Sequence, residues 1–341
     1  MKNRALLNSN SGMALFIVLW AMVLLTVIAG HFCLSMRNEV NMTANYKNRV
    51  EAYYLAEAGL NMAVTELMKP EKPKADPVNQ EDVEPTTTGW RVNADNPGVA
   101  LGNGQFTVFI DNESGKIDIN TADEGILSVL LNGFNLEKTD KDVIINSILD
   151  WRDKDSLARL NGAEDSYYRS LPRPYGCKNG MFTSIEELLL VKGVSEALFR
   201  EGLETMVTLY SQVNSQTTER PISSFKKKKL GRKSSKININ AASEKMLLSL
   251  PLMTEELVSL VLEFRKTKDF KSLSEFQFLV GGSVYAAVSS YITLDMSSYY
   301  TIRSVGTIDG SNARVTISAV VLLDSASDRG FTILKWKDGG Y

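Results

Sequence analysis

Residues Met13 to Met36 read MALFIVLWAMVLLTVIAGHFCLSM, without one formally charged side chain. A helix crosses a bilayer with about 20 predominantly apolar residues, so this run is long enough to span. Lys2 and Arg4 precede it, and positive charge is retained on the cytoplasmic side. The leader therefore stays inside and the chain beyond Arg37 is exported. A cleaved secretory signal fits less well, because the apolar core from Ala14 to Ala29 is long for one and no Ala-x-Ala site follows it. Nor do His31 and Phe32, in front of Cys33, supply the small residues of a lipoprotein site.

Downstream, Val50, Tyr53, Tyr54, Glu57, Leu60, Val64 and Leu67 recur at helical spacing, and no proline intervenes before Pro70. A long helix that is greasy first and amphipathic later, behind a leader ending in Ser11-Gly12, resembles the type IV pilin and pseudopilin family. The resemblance implies that a prepilin peptidase cuts between Gly12 and Met13 and that the new amino terminus is methylated. Most members carry glutamate at the fifth position after the cut, where this chain has Ile17. In a growing filament that carboxylate is thought to meet a neighbour's amino terminus, and it is expensive to leave unpaired inside a bilayer. Isoleucine removes that demand, which suits a first or tip position.

The composition narrows the chemistry. The 341 residues carry a net charge of -2 and ordinary apolar and charged fractions, which points to a globular body with no overall field for nucleic acid. His31, the one histidine, lies in the apolar run. The exported part thus has no imidazole for a general base, a hydrolase triad or a His-containing zinc site, and no enzyme is expected. Cys33 and Cys177 are too far apart in kind and position to suggest a disulfide.

The expected architecture is α+β. A leader (1–12) precedes a transmembrane and pilin-like helix (13–68), and a Pro- and charge-rich linker (69–89) follows. Strand alternation at Phe106, Val108 and Ile110 ends in the turn Asp111 to Gly115, and a hairpin over Tyr299–Ile308 and Arg314–Leu323 turns at Asp309-Gly310. These β-stretches predict a small antiparallel sheet from 90–115 and 292–325, packed on the long helix. An all-α domain is inserted over 116–291, and 326–341 is left as a carboxyl-terminal tail.

The insertion contains a repeat. Lys116-Ile117-Asp118-Ile119-Asn120-Thr121-Ala122 recurs as Lys236-Ile237-Asn238-Ile239-Asn240-Ala241-Ala242, and Phe182 to Leu188 is answered by Phe270 to Phe276. The Asn-Thr-Ala and Asn-Ala-Ala steps are expected to cap one helix in each copy. Ser184 and Ser272, each followed three residues later by glutamate, are expected to cap another. Such copies resemble helix-hairpin-helix modules, which raises a second reading, a membrane-anchored DNA receptor of the competence type. DNA-binding hairpins need glycine for close approach to a phosphate, yet Pro251-Leu252-Met253-Thr254 has none. Lys226, Lys227, Lys228 and Lys229 could track a phosphate backbone, but such a run between modules reads as a solvated loop, and no nucleic acid is expected as a partner.

Only the first copy carries a long acidic loop, over 150–180. Clustered carboxylates on a loop can fold around a hard cation, or they can simply be solvated; no EF-hand spacing decides between these. The run Asp-Trp-Arg-Asp-x-Asp from Asp150, Gly-Ala-Glu-Asp-x-Tyr-Tyr from Gly162, Leu-Pro-x-Pro-Tyr from Leu171 and the stretch Phe182 to Gly193 resembles the K-type minor pseudopilins of type II secretion. That resemblance implies a periplasmic, calcium-binding subunit, anchored in the bacterial inner membrane with its amino terminus in the cytoplasm. It further implies Asp153, Asp155, Glu164 and Asp165 as ligands and a place at the tip of the pseudopilus. The implied partners are the I-, J- and H-type minor pseudopilins, the prepilin peptidase, the inner-membrane secretion platform and the secreted substrates.

Overall fold

The structure is a computed structural model that describes residues 10–69, 90–94, 96–210, 236–324, 327 and 329–339, with side chains from Met13 onward. Most of the expected leader, the linker beyond Lys69 and the Lys226–Lys229 run lie outside the described residues.

Helix α1 (Asn10–Leu67) has 58 residues and, at about 1.5 Å per residue, is roughly 90 Å long. It runs through the Gly12–Met13 bond. Its large apolar side chains from Met13 to Met36, Ile17 among them, are exposed. The lower half is different: Ala52, Leu55, Ala56, Leu60, Ala63 and Val64 form one buried stripe at the three-and-four spacing of a helix face. Small residues let the helix lie close to the sheet. A Cβ at Gly306 would collide with the Ala52 carbonyl and the Ala56 amide.

After α1 come β1 (Val99–Leu101), β2 (Gly104–Asn112) and β3 (Ile117–Asp118). The first copy continues with α2 (Glu124–Asn132), α3 (Lys138–Arg152), α4 (Asp165–Arg169), a 3-10 helix (Ile185–Leu190), α5 (Glu196–Leu198), α6 (Glu204–Met206) and β4 (Val207–Thr208). The second comprises β5 (Ile237–Asn238), α7 (Glu244–Ser249), α8 (Glu255–Thr267), α9 (Leu273–Val280), α10 (Gly282–Val288) and β6 (Ile292–Thr293). The chain then returns through β7 (Tyr299–Ile308), β8 (Arg314–Leu323) and β9 (Phe331–Gly339).

The main sheet is antiparallel in the order β1-β2-β7-β8-β9, and α1 crosses β2, β7 and β8. Strands β2 and β7, separated by the whole insertion, pair from Gly104 with Ile308 to Asn112 with Tyr300. The β7–β8 hairpin turns at Asp309-Gly310, where Gly310 takes φ +69°, a conformation glycine adopts without steric cost. One core lies between α1 and this sheet, and a second fills the insertion.

Two expectations need correction. The segment expected as a tail contains β9, paired with β8. Its alternation is broken by a register shift between Val320 and Val321, so that Ile333 faces Val321 and Lys335 faces Val320, leaving Leu334 as the extra residue of a bulge. The insertion is also not purely helical. β3 pairs in parallel with β4 and β5 with β6, because Ile117 and Ile119, like Ile237 and Ile239, are buried at alternate positions and the ladder satisfies their backbone.

Candidate metal centre

The two copies close in the same way. Asn120 Nδ2 donates to the Phe182 carbonyl at 3.0 Å and its Oδ1 accepts the Phe182 amide at 2.7 Å. Asn240 does the same with Phe270, at 3.0 and 2.9 Å. The Arg152 guanidinium donates to the Ile119 and Ala122 carbonyls, and Arg265 donates to the Ala242 carbonyl at 2.6 Å. Each asparagine is thus a clamp rather than a helix cap; the caps are the next polar residues, Asp123 on the Ile126 amide and Ser243 on the Met246 amide. Ser272 caps α9 through the Glu275 amide. Ser184 makes no such bond; there Glu187 reaches back to the Thr183 amide at 3.1 Å.

Between the clamped ends of the first copy, Asp150 organises the loop from inside. Fully buried, it accepts from the Arg159 guanidinium at 2.6 Å and from the Arg159 and Ala163 amides at 3.1 and 2.9 Å. A side chain at Gly162 would strike its carboxylate, so the Gly-Ala-Glu sequence is what lets the chain wrap this acid. Trp151 and the fully buried Tyr168 meet edge to face at 5.1 Å, and Tyr175 stacks on Tyr168 at 5.3 Å. These rings form the interior of the loop.

Asp153, Asp155 and Glu164 converge in this loop, with one ligand oxygen from each lying within 4.8 Å of the others. Glu164 is only 3% exposed, and neither of its oxygens has a hydrogen-bond partner among the described residues. The Cys177 thiol, a weak donor, comes nearest to offering one. Burial pushes the Glu164 carboxyl above its ordinary value; the thiol pulls it back, and the Asp150, Asp153 and Asp155 carboxylates raise it further. Asp153 Oδ1 and Asn179 Oδ1 are likewise buried and unpartnered. Leaving several acceptors without donors is costly, and a divalent cation with oxygen ligands would satisfy the three converging carboxylates together. The residues present therefore fit a hard cation.

Asp165 lies outside this group. Its Oδ1 accepts the Cys177 amide at 2.7 Å and its Oδ2 the Arg169 Nε at 3.1 Å, and these bonds hold its carboxyl below the ordinary range. It ties Cys177 to the start of α4. Asn179 is a loop residue with a buried, unpartnered Oδ1 that sequence reasoning did not single out. It sits at φ +46°, with Nδ2 donating to the Asp155 carbonyl at 2.9 Å. An Asn-Gly pair signals a turn, but nothing in its spacing from Asp153 ties it to the carboxylates.

The hairpins offer little to a phosphate. Leu252 holds the left-handed position of the second tip at φ +59° with its side chain 64% exposed, where a DNA-binding hairpin would present glycine. Gly133 of the first tip faces Ser249 and Met206 instead of solvent.

Residues 108–212 match the family model described as type II secretion system, protein K. The match covers less than half of the chain and ties this stretch to that family. The matched span includes the whole first copy and its acidic loop. A putative type II secretion system protein K of Escherichia coli K12 is 25% identical over 57% of this chain and 61% of its own length. Type II secretion system protein K of Pectobacterium carotovorum subsp. carotovorum is 32% identical over 36% of this chain and 34% of its own. The matched stretches thus span less than two thirds of either relative. A chain from the crystal structure of the GspK–GspI–GspJ complex of enterotoxigenic E. coli shares the fold, with a TM-score of 0.51 at 17% identity, covering 90% of this chain and all of that one. This similarity, with an exposed apolar α1 long enough to cross a membrane, fits an inner-membrane-anchored protein.

Proposed function

We propose that this protein is a minor pseudopilin that starts the type II pseudopilus and stands at its tip, doing no bond-making itself. The observation that carries the reading is α1. Its first half projects, apolar and exposed, with Ile17 where a carboxylate would otherwise need a neighbour's amino terminus. Such a helix packs against other apolar helices and leaves nothing for a subunit above to neutralise. The solved relative assembles with GspI and GspJ; this chain is expected to assemble with its own I- and J-type partners, and with the H type below them. The amino terminus is cytoplasmic and the body periplasmic, so export of folded substrates is served from outside the membrane.

The insertion is read as two helix-hairpin-helix-like modules used as scaffold. In the first, Asp153, Asp155 and Glu164, completed by Asn179 Oδ1, would hold Ca²⁺, whose role there is structural: it neutralises the carboxylates and fixes the loop. Mass spectrometry of the mature protein tests the pseudopilin reading. A terminus at methylated Met13, with co-purification of I- and J-type subunits, is the expected result, and an intact leader in secreting cells overturns it.

A further inference from the structure

The outer edge of β9 plays no part in the loop or in the helix assembly. β9 ends the sheet, and among the described residues no strand pairs with its outer side. Phe331 is half-buried and Thr332 to Gly339 are all exposed. An edge of this length, without proline, presents a row of backbone donors and acceptors to any extended chain.

Its two faces differ. On the side shared with α1, Ile333 sits opposite Val321 and Trp336 opposite Ala319; both β8 residues are buried, while Ile333 is 40% and Trp336 38% exposed. This side is apolar at Ile333 and Trp336 and ends in Asp338, which lies opposite Ile317 and accepts from Trp336 Nε1. On the other side, Lys337 lines a cleft of about 730 Å³ between the sheet and the insertion, whose walls carry Asp111, Glu186, Glu204 and Glu244 as well as Arg303. Lys335 approaches Glu186 at 3.5 Å while remaining half exposed, and Arg303, stacked over Phe109 at 4.8 Å, extends the positive charge across the sheet.

We propose that the outer edge of β9 captures an extended segment of another protein by strand addition, a segment in which acidic side chains alternate with apolar ones. Backbone hydrogen bonds supply the affinity, and the alternating faces supply the selectivity. A strand at this edge would place every second side chain beside Lys335 and Lys337 and the others beside Ile333 and Trp336. A second copy of β9 is disfavoured, because antiparallel self-pairing brings the lysines of the two edges together.

The test uses the full chain in detergent and a labelled nine-residue peptide of alternating glutamate and valine, read by fluorescence anisotropy. Saturable binding is expected. It should weaken tenfold or more when glutamate is replaced by lysine in the peptide, and by a similar factor in the Lys335→Glu, Lys337→Glu double variant. The same peptide N-methylated on one or the other alternate set of amides should lose binding for one set; this control alters only the peptide, so it reads the edge even if the double variant folds poorly. No saturable binding at millimolar peptide, equal binding of both N-methylated peptides, or a salt-resistant dimer of the chain abolished by the double variant would each overturn the proposal.

Discussion

The two copies of the insertion share a frame and differ in one connection. In the second, Arg265 is followed by residues 266–269 and the chain reaches Phe270 directly, under the Asn240 clamp. In the first, residues 153–181 intervene between Arg152 and Phe182, yet the Asn120 clamp closes on Phe182 with nearly the same geometry. The acid before the shared aromatic–arginine pair records the change. Glu263 in the second copy is 70% exposed and meets only Lys266, whereas Asp150 in the first is fully buried and holds three donors. A repeat can therefore accept a long loop if its clamp is kept and the loop brings its own interior; here that interior leaves a group of converging carboxylates that fits the proposed cation.

The largest test of this contrast is the pair Asp150→Ala and Glu263→Ala. Removing one partner of a buried ion pair costs about 3–5 kcal/mol, while an exposed pair is worth about 1 kcal/mol or less. Urea unfolding should show the first variant strongly destabilised and the second close to wild type. Equal effects would mean that Asp150 does not organise the loop.

Asn120→Ala and Asn240→Ala come next. Each removes two bonds to backbone groups and should cost about 1–3 kcal/mol, by similar amounts if the clamp belongs to the shared frame. A loss confined to Asn120 would instead assign the clamp to the loop. Smaller still is the separation of Asp165 from Glu164. Asp165→Ala should lower stability only slightly, and equally with calcium and with chelator. Glu164→Gln, in contrast, should abolish the calcium-dependent increment; a calcium response lost in Asp165→Ala as well would place that carboxylate among the ligands.

Much of the frame could be read from residues. The Ile-x-Ile-Asn repeats and the β7–β8 hairpin carry a periodicity that burial imposes, and the start of α1 is an unbroken apolar run long enough to span a bilayer. The third dimension of the loop was less legible. Four acids were eligible, and only the fold shows that Asp165 is occupied by the Cys177 amide while Asn179 is turned inward. The Asn120 and Asn240 clamps read as caps in the sequence because asparagine before a helix serves either purpose, and the choice depends on a phenylalanine distant in sequence. β9 was hidden by its bulge, which breaks the alternation on which strand recognition depends.

The most direct measurement is hydrogen exchange together with thermal unfolding of the full chain in detergent, with calcium and then with excess chelator. A bound ion at a hundredfold its dissociation constant adds about 2.7 kcal/mol to the folded state. Chelation should therefore lower Tm by several degrees and strip protection from residues 153–181, while the second copy from 236 to 293 keeps its own. An unchanged Tm with unchanged protection across the loop would contradict the account.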